Sequence, residues 1–217
     1  MSDIFQEVDE EVRRDQLQKL WERYHNYIVA GIFLILAGVA GWRGYEWWEA
    51  KQAAETGAAF EVALNLSEEG KHADAEAAFA KIAADGSASY RNFARVRYAA
   101  EIAQRDPKAA IVAYEKIADD RSVGPALQDL AGLRAGSLLI DEAAFNEARA
   151  RLEPLATEGR PYRHTARELL ALSAWRSGDA AAAKRWFDLV MTDIQTPPGT
   201  RARIEMLIAL VAAGSGS

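Results

Sequence analysis

An uncharged run near the N-terminus constrains this chain more than any other feature. Residues 24–42, YHNYIVAGIFLILAGVAGW, contain no Asp, Glu, Lys or Arg. A helix needs about 20 such residues to cross the hydrocarbon core of a bilayer. Tyrosines at the start of the run and tryptophans just after it are typical of the two headgroup regions. The sequence therefore predicts a single transmembrane helix over 24–44. A buried core helix is the alternative, although core helices rarely run this long without a charge.

Positive charges beside the run predict its orientation, because cytoplasmic flanks are rich in Lys and Arg. Four such residues precede the span, whereas two lie within about 20 residues after it. We therefore expect a cytosolic amphipathic segment over 1–23 and a periplasmic domain over 45–217, in a single-pass inner-membrane protein. The polar stretch before the span is longer than the start of a signal peptide, which favours an uncleaved anchor. The flanking charges are Arg13, Arg14, Lys19 and Arg23 before the uncharged run 24–42, and Arg43 and Lys51 after it.

The remainder of the chain has the composition of an all-α protein. Alanine supplies 44 of the 217 residues, and no strand-like alternation follows Tyr45. Short breakers such as Glu69-Gly70, Asp106-Pro107 and Gly178-Asp179 divide the sequence into helical segments. We expect seven or eight helices of about 10 to 17 residues, a usual helix length in globular proteins. The last of them is predicted over Thr200 to Ala213.

A repeated triplet divides these helices into four units. Each triplet has a small residue, a bulky residue four positions later and an aliphatic residue three positions after that. The bulky positions are separated by 35, 38 and 35 residues, a spacing typical of stacked helix pairs. Small residues also occur in the preceding helix of three units, at Ala63, Gly136 and Ala171, whereas the second unit has Tyr98 there with Ala99 beside it. The triplets are Ala75/Phe79/Ile82, Ala110/Tyr114/Ile117, Ala148/Leu152/Leu155 and Ala183/Phe187/Val190.

These residues resemble the tetratricopeptide repeat, in which antiparallel helix pairs recur at about 34 residues. The resemblance implies a helical-hairpin solenoid of about four repeats, with the last helix covering its apolar end. An unspecific helical bundle is the alternative. Together with the acidic start, MSDIFQEVDEEVRRDQLQKLWERY, and the single span, the repeats are similar to the YfgM-like ancillary subunits of the SecYEG translocon. That resemblance implies association with the translocon and with a membrane-anchored periplasmic chaperone of the prolyl isomerase type, and assistance to newly exported client proteins.

Catalytic and metal-binding motifs are missing from the sequence. The chain has no cysteine, and His25, His72 and His164 are far apart, so we expect solvated surface histidines and no metal or cofactor site. The formal net charge of −6 makes nucleic acid an unlikely partner. No nucleophile or phosphate-loop motif is present, which favours a non-catalytic protein. A membrane-bound hydrolase with an unrecognised site is the enzymatic alternative.

The first helices of stacked pairs form a concave surface that usually binds peptides or partner proteins. Side chains around the small first-helix residues are therefore our candidates for partner contact, although each has plain packing as its alternative. We expect a non-catalytic periplasmic scaffold at the translocon; the alternative is an assembly factor for division or outer-membrane machinery. The candidates are Phe60, Leu64, Asn92, Arg95, Leu133, Ser137, Glu168, Leu172 and Trp175.

Overall fold

The fold is all-α throughout the described part of the chain. The computed structural model describes residues 3–142 and 145–214, with side chains for 21–142 and 145–210. These residues form nine α-helices, one short 3-10 helix over Glu153–Ala156 and no strand, which confirms the predicted fold class. The α-helices are α1 (Asp3–Glu68), α2 (His72–Asp85), α3 (Ala88–Ala103), α4 (Pro107–Ala118), α5 (Pro125–Glu142), α6 (Phe145–Leu152), α7 (Arg163–Arg176), α8 (Ala180–Thr192) and α9 (Pro198–Gly214).

The chain divides into two compact units, Met1–Gln52 and Ala53–Ser217. In the first unit, helix α1 exposes its apolar side chains: Phe33 is 73% exposed and Leu34 is 74% exposed. Within the described residues, α1 is the one helix long and apolar enough to cross a membrane. The predicted amphipathic face of 1–23 lies almost entirely outside the residues whose side chains are described.

The second unit consists of helix pairs that follow one another along the chain. The first pair is made of residues 53–68 of α1 and helix α2, and the next pairs are α3/α4, α5/α6 and α7/α8. Residues 53–68 share a core cluster with α2, the helices from α2 to α8 each pack against the next, and α9 packs on α7 and α8. This is the arrangement expected for a solenoid, in which each repeat contacts its neighbours. Helices α2–α9 agree with the seven or eight helices that the sequence predicts, and residues 53–68, which continue α1, add one helical segment.

The repeated triplets form the core of these pairs. All twelve triplet residues are buried, and Phe79 and Leu152 have no exposed surface. The third triplet differs from the others, since α6 ends at Leu152 and Leu155 lies in the 3-10 helix that follows. Pro154 explains this early end, because proline lacks the N–H that an α-helix requires. The triplet pattern thus identifies the core correctly even where the helix changes type.

Small residues on the first helices let the paired helices approach closely. Ala63, Ala99 and Ala171 are fully buried. The approach is tightest at Gly136, where an added Cβ would lie 2.4 Å from Leu152 Cδ2 and 2.5 Å from its Cγ. Because Leu152 is itself fully enclosed, it has no free space into which to move. Glycine is therefore required at this position by packing.

Turn residues behave as their chemistry predicts. The Asp106 side chain accepts a hydrogen bond from the Ala109 N–H at 3.0 Å and so caps the N-terminus of α4. Asp179 caps α8 in the same way, accepting from the Ala182 N–H at 2.9 Å. Gly178, immediately before it, has a φ of +78°, a backbone conformation that glycine adopts without steric cost.

A partly buried ionic cluster joins α7 to the segment after α8. The Asp193 carboxylate accepts a hydrogen bond from Arg167 at 2.8 Å and one from Arg163 at 3.3 Å. His164 lies beside them, 3.8 Å from Asp193, with its side chain only 11% exposed. Its expected position on the solvated surface is therefore wrong for this histidine. Burial is the main cause that lowers the pKa of His164, with the neighbouring Arg163 charge acting in the same direction.

We predict that Gly136→Ala destabilises the repeat domain. The new methyl group would overlap Leu152, and overpacking of this kind costs about 1–3 kcal/mol. Thermal unfolding of the full chain in mild detergent, followed by circular dichroism, should show a lower midpoint. Gly132→Ala is the matched control one turn earlier in α5, where the nearest side-chain atom would lie 3.4 Å away. An equal midpoint for both variants would show that the α5/α6 approach is not tight.

We also predict a pH-dependent effect of Asp193→Asn. A hydrogen bond from the Gln195 N–H, followed by those from Arg167 and Arg163, lowers the pKa of Asp193 from 3.8 to about 2. The carboxylate's contribution to stability is therefore present above pH 3.8 and is lost as the pH falls towards about 2. The variant should melt earlier than the wild type at pH 7, and this difference should shrink below pH 4.

Asp188→Asn provides the control for this measurement. The Asp188 side chain is 61% exposed and binds only Lys184, one turn away, at 2.8 Å. Exposed ion pairs of this kind contribute little to stability. The control should therefore melt like the wild type at every pH. A difference between Asp193→Asn and wild type that stays constant from pH 7 to pH 3 would contradict the assigned ionisation.

Candidate protein-binding groove

A groove of about 630 Å³, here called the central groove, lies in the second unit. It crosses the first helices of three successive pairs, namely residues 53–68, α3 and α5. One residue of the second helices, Tyr114 of α4, also lines it. The lining residues are Phe60, Tyr90, Phe93, Val96, Arg97, Ala100, Tyr114, Leu127, Leu130 and Arg134.

Helices α3 and α5 contribute equivalent residues to this groove. Three lining positions of α3 have a counterpart 37 residues later in α5, which places each pair at corresponding turns of neighbouring repeats. We call each set of equivalent residues a row. Two of the three rows are apolar or aromatic, and the third, one turn further along both helices, consists of arginines. The central groove therefore has an apolar part and a cationic part. The rows are Tyr90 with Leu127, Phe93 with Leu130, and Arg97 with Arg134.

Aromatic rings form one wall of the groove. The ring of Phe60 lies 5.5 Å from that of Tyr90 and 5.3 Å from that of Phe79, which fixes Phe60 between the core and the groove. Phe93 is the most accessible of the aromatic residues in the wall, with 52% of its surface exposed. An exposed phenylalanine beside other apolar groups is a feature of protein-interaction surfaces.

Tyr114 forms part of the groove floor. It is only 3% exposed, and burial is the main cause that raises its pKa above the ordinary value, so the hydroxyl stays protonated at neutral pH. The positive charges of Arg134 and Arg97 lower the pKa of Tyr114 and the negative charge of Glu101 raises it, each by less than burial does. No described residue forms a hydrogen bond with this hydroxyl.

The two groove arginines differ from most others in the repeat domain. Arg151 binds Glu115 at 2.6 Å and Arg160 binds Asp129 at 3.0 Å, as is usual for the arginines of this unit. Neither Arg97 nor Arg134 forms an ion pair or hydrogen bond with any residue that the structure describes. The groove lining also includes no carboxylate and no histidine. The groove thus offers hydrogen-bond donors and apolar surface, without a pair of acid and base groups.

The candidate residues of the first two pairs lie at different depths. Phe60 lines the central groove, and the half-buried Leu64 packs on the core around Phe79. Asn92 is half-buried, and Arg95 binds Asp120 at 2.8 Å. Hydrogen bonds from Ser122 and then from Arg95 lower the pKa of Asp120 to about 2, so this carboxylate stays ionised opposite Arg95. The arginine is already engaged within the protein.

The candidates of the last two pairs lie outside the central groove. Leu133 is 8% exposed and belongs to the core, and Ser137 is half-buried. Glu168 accepts a hydrogen bond from Arg203 of α9 at 2.8 Å, and Leu172 is half-buried beside it. Trp175, with 38% of its surface exposed, is the most accessible of this group. The structure therefore brings only Phe60 of the nine candidates into this cavity.

Sequence reasoning missed the arginines and the exposed Phe93. The prediction placed the groove face of α3 one residue away from its position in the structure. The expected offset falls on Tyr98, whereas the small residue of the second repeat is Ala99. A shift of one residue rotates a helical position by about 100°. The equal 37-residue spacing of the three rows was the signal that could have identified the face.

A second cleft lies between the first two pairs, on the side of the second helices α2 and α4. It measures about 540 Å³, and alanines form much of its lining, with Arg95 and Val112 among the other lining residues. No cluster of three or more His, Asp or Glu able to hold a metal ion occurs among the described residues. Arg95, Tyr98 and Lys116 are the ionisable groups in its lining, which includes no carboxylate and no histidine among the described residues.

Stacked helix pairs with a groove across their first helices define a helical repeat protein of the protein-binding class. The chain matches the family model of the tetratricopeptide repeat-like domain over residues 18–194. It therefore belongs to the tetratricopeptide repeat-like family. Domains of this family are typically scaffolds for protein interactions instead of catalysts. No curated protein and no solved structure matches the chain.

Proposed function

We propose that this protein is a membrane-anchored, non-catalytic scaffold that binds partner proteins at the cell envelope. The observation that carries the proposal is that an exposed apolar helix and a groove-bearing repeat domain occur in one chain. The family match supports the protein-binding part, because repeat stacks of this kind present extended surfaces for partners. The groove lining, which contains tyrosine and arginine as its ionisable groups, supports a role in binding over catalysis.

The anchor part of the proposal rests on the surface of α1. Ile35 and Leu36 are each at least 60% exposed, and leaving such side chains in water costs about 25 cal/mol for each Å² of apolar surface. A lipid environment removes that cost. We propose a transmembrane segment over 24–44, a cytosolic segment over 1–23 and a periplasmic domain over 45–217. The excess of Lys and Arg before the span supports this orientation in the inner membrane.

The resemblance to the YfgM-like proteins extends the proposal to particular partners. These are the SecYEG translocon, a membrane-anchored periplasmic chaperone of the prolyl isomerase type and exported client proteins. An anchor beside the export channel would raise the effective concentration of the groove near emerging chains, so that weak contacts suffice. We place the main contact surface in the central groove. Phe60, one of the nine predicted residues, lines this groove. The other eight remain predictions for partner contact.

We predict that a photo-crosslinking amino acid at Phe93 captures partner proteins in intact cells. Phe93 is 52% exposed and lines the central groove, so a bound partner should lie within reach of it. Crosslinked products should contain translocon subunits, the chaperone or exported clients. Val112 provides a matched control, since it is 50% exposed but lies on the second helix of its pair.

The pattern of crosslinks separates the proposed role from its alternative. Equal products from Phe93 and Val112 would contradict partner binding in the central groove. Products from Phe93 that contain division or outer-membrane machinery, without translocon subunits, would instead favour an assembly factor for another envelope complex. Co-purification of the unmodified protein after mild detergent extraction provides an independent measurement of the same partners.

We predict that protease added to spheroplasts degrades the repeat domain and leaves the N-terminal segment intact. This result follows if 45–217 is periplasmic, because the membrane shields only the cytosolic side. Immunoblots against tags at the two ends would follow each part. Cells opened before protease treatment are the control, in which both parts should be cut. Protection of the repeats in spheroplasts, together with loss of residues 1–23, would invert the orientation and remove the export role.

A further inference from the structure

Helix α9 occupies the place of a first helix in a fifth pair. The helices α3, α5, α7 and α9 begin at Ala88, Pro125, Arg163 and Pro198, which are 37, 38 and 35 residues apart. In α7 the small residue Ala171 is buried in the core that α7 shares with α8. The residue 35 positions later is Met206, which is 61% exposed. Within the described residues no helix follows α9, so the face that a second helix would cover is open.

This open face of α9 is apolar. Thr200 and Ile204 are buried on the side that packs on the repeats. Ala202, Met206 and Leu210 are exposed and lie four residues apart, so they form one stripe along the helix, here called the α9 stripe. The last helix of a solenoid usually has a polar outer face, because that face meets water. An apolar outer face indicates an interaction surface instead.

The α9 stripe is complementary to a second copy of itself in the antiparallel direction. Met206 is the midpoint of the helix Pro198–Gly214, so an antiparallel pair centred on it overlaps along a full helix length of about 25 Å. Ala202 and Leu210 lie four residues to either side of this midpoint. The large Leu210 of each copy therefore faces the small Ala202 of the other. Large residues opposite small ones allow two helices to interdigitate closely.

We propose that α9 is a homodimer interface, in which two copies of this chain pair their α9 helices in antiparallel orientation through Ala202, Met206 and Leu210. Each α9 takes, for the other copy, the place that a second helix has in the earlier pairs. Both copies use the same residues, so the interface is isologous and closes at two chains. The dimer carries two central grooves, and the inference does not depend on what those grooves bind.

The charges beside the α9 stripe favour a second copy over a lipid surface. Helices that lie on membranes carry Lys or Arg beside the apolar face, where these residues attract anionic headgroups. In α9 the nearby Arg203 is held by Glu168 at 2.8 Å. Glu205, next to Met206, is exposed and forms no ion pair with any described residue. An unpaired carboxylate beside the stripe disfavours contact with anionic lipid.

The size of this surface sets the conditions under which the dimer forms. A helix about 25 Å long and about 10 Å wide covers roughly 250 Å², below the value of about 800 Å² per partner in a standard stable interface. Association of the free chains should therefore be weak. Confinement of both copies to one membrane raises their effective concentration, so the dimer should form when the full chain is embedded in a bilayer.

The first measurement uses disulfide formation, since the chain has no cysteine. Met206→Cys, in the full chain embedded in phosphatidylcholine vesicles and oxidised with copper phenanthroline, should form a covalent dimer because the two midpoint residues face each other. Ala202→Cys and Leu210→Cys should each form far less dimer, because identical residues four positions from the midpoint lie about 12 Å apart along the axis. A mixture of these two variants should form the mixed dimer.

These disulfide patterns define the outcomes that contradict the proposal. Absence of the Met206→Cys dimer would overturn it. Equal dimer formation by Leu210→Cys and Met206→Cys would overturn it as well, because that result indicates a parallel or unspecific contact. Dimers held together only by the membrane anchor would not reproduce the antiparallel register. Circular dichroism would verify that the helices of each variant are retained.

Glu205 provides a second measurement, which depends on charge. In the antiparallel pair the two Glu205 side chains flank the stripe on the same side, about 3 Å apart along the axis, so they repel each other. Met206→Cys with and without Glu205→Lys, mixed in equal amounts, should give mixed dimers above the one half expected from random pairing. Glu147→Lys, at an exposed glutamate of α6, is the charge-matched control and should give random pairing. Random pairing for both variants would overturn the proposal.

A photo-crosslinking amino acid at Met206 in intact cells tests the occupant directly. A product that contains two copies of this chain is the expected result. Products that contain only lipid, or only a different protein, would overturn the proposal. Crosslinking at Phe93 tests the proposed function separately, because its selective products can persist when the α9 dimer fails. Loss of selectivity at Phe93, with the α9 disulfides intact, would reject the groove function alone.

Discussion

The close approach of two helices through small residues is the constraint on which the rest of the repeat domain depends. Gly136 against Leu152 is its tightest instance, and Ala63 and Ala171 occupy the corresponding places in other pairs. Small residues on one helix allow a bulky residue of the next to fill the space between them, which fixes the distance within each pair. Because the pairs are alike, their first helices lie side by side. The central groove is a consequence of that regular packing.

The same regularity governs where charges lie. Several ion pairs join residues about one repeat apart: Glu115 with Arg151, Asp141 with Arg176, and Glu168 with Arg203. Most are partly exposed, so each contributes little to stability, but together they engage most of the domain's arginines. An unpaired arginine in this unit is therefore unusual. Arg97 and Arg134 of the central groove form no ion pair with any described residue, and the described residues that line the groove include no carboxylate.

The core could be predicted from the sequence because it depends on local residue types. Each buried triplet lies within one short segment, so its spacing already encodes the burial of residues such as Phe79 and Phe187. The groove face of α3 depends instead on where the small residue lies relative to the preceding turn. The sequence of a single repeat does not specify how far its small residue lies from the preceding turn. His164 shows the same limit, since its burial results from Thr196 and Asp193, about 30 residues away.

Net charge alone does not describe the electrostatic character of the groove. The chain carries a formal charge of −6, which taken as a whole repels acidic partners, whereas the groove carries two unpaired positive charges. Salt screens charges separated by more than about 8 Å at physiological ionic strength. The overall negative charge therefore acts weakly at a distance, whereas the electrostatic potential inside the groove is set mainly by Arg97 and Arg134.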